Sequence, residues 1–153
     1  MAAIARLGLT VVTNPAFIHW RGDVYRAETT GAARGWLYRA ASLAAAGVPL
    51  AGASDAPIAP ADPWDGIAAA RARRTHAGRE LGATERLPAA AALDLFTRGA
   101  ARAMGASRLG RLARGGPADL VVVEPDPLRA SPDEVRHARV RFTMVEGEMV
   151  WAG

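Results

Sequence analysis

Only two stretches of this sequence read as buried strands, and a proline marks each of them: "LTVVTNP" over 9–15 and "VPLAGAS" over 48–54. Both are continuous apolar or small runs rather than alternating ones, the texture of strands covered on two faces in a parallel sheet. Between them, "AARGWLYRAASLAAAG" (32–47) carries Trp36, Leu37, Ala40 and Leu43 at helical spacing and ends on Gly47, which predicts one helix with a glycine cap. Strand, helix, strand implies parallel pairing, yet two strands make no sheet that helices can cover on both faces. The expectation is an α/β arrangement that is incomplete as it stands.

The remaining signals fit the same order. "AAIARLG" (2–8) reads as a last helical turn closed by Gly8, and His19, Trp20 and the "RGD" of 21–23 read as a loop after the first strand. Asp62 and Pro63 are a helix N-cap followed by proline at the first helical position, and "TERLPAAAALDLFTRGAARAMG" (84–105) is a further helix with Pro88 near its start and Gly105 past its end. From Arg108 the texture turns Gly- and Val-rich, with the alternation Val140, Phe142, Met144, predicting a small β section over 108–153 after an α/β part over 1–107.

Several function classes are disfavoured at once. Cysteine is absent, which removes disulfides, thiolate metal sites and cysteine nucleophiles. A net charge of +4 raises the question of nucleic acid, but all 19 basic residues are arginine. A lysine-free, Ala-rich chain is more simply explained by coding bias than by a phosphate-binding surface, and the densest cluster, Arg71, Arg73 and Arg74, has only Trp64 near it as a stacking platform. No nucleic-acid partner is expected. No apolar run is long enough to span a membrane, and "MAAIARLGLTVV" has neither the basic start nor the cleavage site of a secretory leader, so the expected location is cytoplasmic.

The chemistry-bearing residue is Asp55, which breaks the apolar run in "VPLAGASDAPIAP" (48–60). A carboxylate at the end of a buried strand is costly unless a cation or hydrogen-bond donor meets it. The residues leave two alternatives open: an Asx-type turn, with Asp55 accepting a backbone N–H, or a functional acid at the mouth of the sheet. Pro57 places the end of the strand at Ser54 or Asp55.

Three stretches in order resemble the metal-dependent amidohydrolase superfamily, specifically the branch of the N-substituted formamide deformylases. They are "AGVPLAGASDAPIAPADPWDGI" (46–67), "RLPAAAALDLFTRGAARAMG" (86–105) with Thr97, Ala101 and Gly105, and "LGRLARGGPADLVVVEPDPL" (109–128). The resemblance covers about residues 7–151 and implies that the two strands are the last two of a TIM-type (β/α)8 barrel, followed by a small β-sandwich segment. It further implies that Asp55 is a metal ligand and the general base and acid of hydrolysis at a carbon–nitrogen bond, in amides or N-formyl compounds, on a small-molecule substrate. His19 falls on the same side and is a candidate substrate contact, the alternative being a solvated loop histidine.

The family's His-x-His pair, its lysine and its two middle-strand histidines have no counterpart here. The histidines present are His19, His76 and His137, spaced far apart, and there is no lysine. A catalytic zinc site needs about three protein ligands, so the chain alone is expected to hold no metal, although the complete family fold carries a divalent ion such as zinc. The expected roles are therefore a C-terminal fragment of a hydrolase, inactive without a complementing N-terminal chain. The alternative is a non-catalytic fold or assembly module that self-associates through its open strand edges. His76 and His137 are assigned to the surface, Trp36 and Trp64 to the core or its packing, and Asp119 to a structural role in the turn before a strand.

Overall fold

The computed structural model describes residues 1–106 and 108–153. The division expected after residue 107 falls at Ser107, outside the described residues. The chain opens with helix α1 (Ala2–Arg6), closed by Gly8 at φ +63. Strand β1 (Val11–Thr13) and strand β2 (Leu50–Gly52) pair in parallel, with Val11 opposite Leu50 and Thr13 opposite Gly52. One further rung, Ala53 N–H to the Thr13 carbonyl at 2.9 Å, extends the ladder past β2.

Two expectations for the stretch between these strands are overturned. His19 and Trp20 do not lie in a loop: they end helix α2 (Ala16–Trp20), and the "RGD" tripeptide leads into helix α3 (Gly22–Glu28). Proline at position 15 starts the helix without straining it, because a missing N–H costs nothing in the first turn. The single helix expected over 32–47 is instead two, α4 (Gly31–Gly35) and α5 (Ala40–Ala45), separated by Tyr38 at φ +51. This break also exposes Trp36, 71% accessible with the Arg39 guanidinium over its ring, rather than packing it in the core.

The cause of the break lies elsewhere in the chain. Arg73, the left-handed C-cap of helix α6 (Pro63–Ala72), is only 2% exposed, and its guanidinium donates to the carbonyls of Leu37 (3.0 Å), Tyr38 (2.9 Å), Leu81 (2.9 Å) and Gly82 (3.1 Å). A helix running through Leu37 and Tyr38 would spend those carbonyls on its own ladder. Burial lowers the Arg73 pKa to about 10, still far above neutrality, so the group is a buried cation solvated by backbone dipoles. Arg71 likewise donates to the carbonyls of Pro127 and Ala130. The basic cluster is therefore largely an internal brace.

Helix α6 starts as expected, with Asp62 accepting from the Trp64 N–H at 2.9 Å and Pro63 at the first position. It is the central element: Trp64, Ile67 and Ala70 face the main core with Val48, Leu50, Leu87, Ala92, Leu95 and Val135, while Ala69 packs with Ile18 and Leu81. The next helix is continuous from α7 (Ala89–Asp94) through a π-helical turn (Leu95–Gly99) into α8 (Ala100–Ala103). It lies directly on β2, and Gly99 leaves no room there for a Cβ against the Leu50 carbonyl. Phe96 plays the complementary part: a Cβ at Gly52 would meet its ring at 2.7 Å, and one at Gly66 would also collide with it.

Strands β3 (Leu120–Glu124), β4 (Arg139–Val145) and β5 (Glu148–Ala152) form one antiparallel sheet in the order β3-β4-β5. Val140, Phe142 and Met144 alternate on its half-buried side. The β4–β5 turn holds Glu146 and Gly147 at φ +52 and +87, and Asp119 accepts the Glu146 N–H at 2.8 Å, so Asp119 has the structural role expected of it. Helix α9 (Pro132–Arg136), between β3 and β4, carries a Ser131–Glu134 capping box and returns Val135, fully buried, to the main core against α6. His137 is its exposed C-cap. Among the described residues no helix is long and apolar enough to cross a membrane.

Glu85, in a 3-10 turn at Ala83–Glu85, is 5% exposed and accepts the Ser42 N–H at 2.8 Å and the Ser42 hydroxyl, capping α5 from outside; Arg39 stands 3.8 Å away. Burial raises its pKa, but the two Ser42 donors and the arginines outweigh this and hold it below the ordinary glutamate range. A depressed carboxyl stabilises the fold above the unfolded pKa of about 4.3, and that contribution is lost as the pH falls through the lower folded value. Glu85→Gln should therefore flatten the acid side of the stability curve. Denaturant midpoints of both proteins between about pH 6 and pH 3 check this, and equal slopes would contradict it.

Candidate functional site

Because β1 and β2 are parallel, the residues following each leave the sheet at the same end, the end where open and closed α/β folds carry their sites. Past β2 the backbone turns sharply. Asp55 adopts φ +58, a left-handed conformation that aspartate tolerates better than most residues, and its carbonyl accepts the Ile58 N–H at 2.9 Å. The side-chain turn weighed for Asp55 is made by its neighbour: the Ser54 hydroxyl accepts the Ala56 N–H at 3.2 Å. Among the described residues no hydrogen bond or ion pair engages the Asp55 carboxylate, which stands exposed.

Three aromatic rings border this end. Phe17 of α2 meets Tyr38 edge-on at 6.4 Å, and the hydroxyls of Tyr25 and Tyr38 are 3.1 Å apart. Burial, then the hydrogen bond with Tyr25, pushes the Tyr38 hydroxyl well above the ordinary tyrosine range, and the charge of Asp55 adds to the shift. Asp55 is thus within electrostatic reach of Tyr38. The Tyr38 hydroxyl is therefore neutral at any physiological pH.

His19 belongs to a different group of side chains. Its Nε2 lies 3.4 Å from Nδ1 of His76, and Trp20 packs beside both rings, edge-on to His19 at 5.2 Å and stacked on His76 at 6.1 Å. The Trp20 indole N–H donates to Asp65 at 3.1 Å, and Arg136 donates to the other Asp65 oxygen at 2.6 Å. Burial and then the Arg136 charge lower the His19 pKa below the ordinary histidine range. The described contacts do not join His19 to Asp55. His76 was read from sequence as a surface residue, and nothing in its local sequence signals a partner 57 positions away.

A metal does not fit these residues as a complete catalytic site. Among the described residues no three His, Cys, Asp or Glu side chains converge, and Asp55 is a single carboxylate. Any family-type ion beside Asp55 needs ligands other than these.

The geometry defines an α/β chain whose free acid stands past the C-terminal ends of paired parallel strands. The Amidohydrolase family pattern matches residues 1–151, and the chain belongs to that family. It is 33% identical over 148 residues to the N-substituted formamide deformylase of Arthrobacter pascens, covering 94% of this chain and 27% of that protein. It is 32% identical over 114 residues to the Bacillus subtilis (strain 168) protein YtcJ, covering 72% of this chain and 22% of that one. Its structure resembles a metal-dependent hydrolase of uncharacterised function from Pyrococcus horikoshii OT3, with a TM-score of 0.72 and 30% identity over 84% of this chain and 27% of the other. The chain therefore spans about a quarter of the length of these relatives.

Proposed function

We propose that this chain supplies the C-terminal portion of a hydrolase acting on non-peptide carbon–nitrogen bonds of small amides or N-formyl compounds, with Asp55 as its proton-transferring group. The observation that carries the reading is the carboxylate itself: exposed, without a partner among the described residues, and fixed by a left-handed turn just past β2. A turn residue would be expected to use its side chain in the turn, and here Ser54 does that. In the proposed reaction Asp55 accepts the proton of the water that attacks the carbonyl carbon. It then returns a proton to the departing nitrogen, so the carboxylate is regenerated as the C–N bond breaks.

In this reading β1 and β2 are the last two strands of a (β/α)8 barrel, within a unit over 1–107, and β3, β4 and β5 belong to a β-sandwich segment over 108–153. The remaining strands and the other ligands of a divalent ion, to which Asp55 contributes one oxygen, come from outside these residues. His19 is given no part in the reaction, because its contacts are with His76 and Trp20.

The test is a chimera in which this chain replaces the matching C-terminal part of the Arthrobacter deformylase, assayed on a panel of N-formyl amines and simple amides. Hydrolysis above that of the truncated host supports the proposal. A folded, metal-loaded chimera without hydrolysis on any member would exclude it.

A further inference from the structure

We propose that His19 and His76 form a two-histidine site for one divalent transition-metal ion, bound by His19 Nε2 and His76 Nδ1 with solvent completing its coordination. The separation of these nitrogens is the first support. Two nitrogens bound at about 2.0–2.1 Å to one tetrahedral ion lie about 3.4 Å apart, and the observed separation is 3.4 Å. A direct hydrogen bond between the rings would be long, beyond the range of about 2.7–3.2 Å usual for N–H···O bonds in proteins. The pair is spaced for an ion between the nitrogens better than for a proton between them.

Preorganisation is the second support. His19 sits on α2 and His76 on the segment after α6, and the His76 N–H donates to the His19 carbonyl at 3.0 Å, fixing the two backbones together. Trp20 fills the space beside both rings and is itself held by Asp65. Binding through these two nitrogens requires the protons on His19 Nδ1 and His76 Nε2.

The surrounding charges are matched. Arg136 is neutralised by Asp65, and Arg74 faces Glu80 at 3.8 Å. Asp23 accepts from the Thr75 hydroxyl at 2.6 Å and from the Ala77 N–H at 3.0 Å, adding negative charge next to His76, while Arg79 stands near Asp23. Because no third ligating side chain joins the pair among the described residues, the site is open and weak enough to be emptied by dialysis. Imidazole ligands favour copper, nickel and zinc over magnesium or calcium, so nickel should bind more tightly than cobalt, and magnesium not measurably.

The test is titration of the tag-free chain with nickel and with zinc, followed by calorimetry and by tryptophan emission, which nickel next to Trp20 should quench. One ion per chain is expected. His19→Ala and His76→Gln should each weaken it by at least ~10-fold while preserving the far-UV circular dichroism, since the loss of even a supporting group around a metal ligand costs about that much. His137→Ala should bind as the unmodified chain does, and Trp20→Phe should bind but lose the quenching. Absence of binding, or equal affinity in the folded His19→Ala or His76→Gln protein, would overturn the site. Neither result bears on hydrolysis by the chimera, which is read with Asp55.

Discussion

Asp55→Asn, placed in the chimera, should lower turnover by about a hundred-fold to ten-thousand-fold, the usual worth of a positioned proton-transferring group. The substitution keeps the shape and, because asparagine also tolerates positive φ, keeps the turn at φ +58. What it removes is the ability to take a proton from water and return one to nitrogen. The exposed position predicts almost no change in stability, within about 0.5 kcal/mol. Ser54→Ala is the companion variant: it deletes the hydroxyl that accepts the Ala56 N–H and leaves the carboxylate in place, so turnover should change little. Equal turnover in Asp55→Asn and the unmodified chimera would show the acid to be a turn residue after all.

The second large effect concerns the fold. Arg73→Ala should destabilise the chain by about 3–5 kcal/mol, among the larger effects of single substitutions. It removes a donor from four inward-facing carbonyls; those of Tyr38 and Gly82 keep the N–H groups of Ala40 and Glu85, while those of Leu37 and Leu81 lose their described donor, at about 1–3 kcal/mol each where water does not replace it. It also places alanine at φ +53, a conformation that alanine does not favour. Arg74→Ala is the comparison. That side chain is 56% exposed and its ion pair with Glu80 is long, so its loss should register at or below about 0.5 kcal/mol. Urea midpoints for both variants decide the matter, and a similar shift for the two would refute the brace.

These two residues mark what could and could not be read along the chain. Asp55 is conspicuous because an acid interrupting an apolar run before proline is a local anomaly. The strands, the Asp62–Pro63 helix start and the long helix closed by Gly105 were legible for the same reason: caps and periodicity act over a few residues. Arg73 looked like one member of a basic cluster, because nothing nearby in sequence tells that its partners are carbonyls at 37, 38, 81 and 82. The same long-range demand hid the break at Tyr38, which local helix propensity argued against. The pairing of His19 with His76 was invisible likewise, since it depends on α2 packing against α6, and the helical state of His19 depended on reading "NP" as a helix entry rather than a loop.

The contact of Phe96 with Gly52 and Gly66 has a consequence for descent. Neither glycine can acquire a side chain while the ring occupies its Cβ position, and the ring cannot shrink without opening a void between β2, α6 and the helix that carries it. No single-residue path therefore leads away from this trio without passing through a strained or hollow intermediate. The three positions, far apart in the sequence, constitute one heritable unit, and an engineer who wishes to vary any of them must vary the others in the same step.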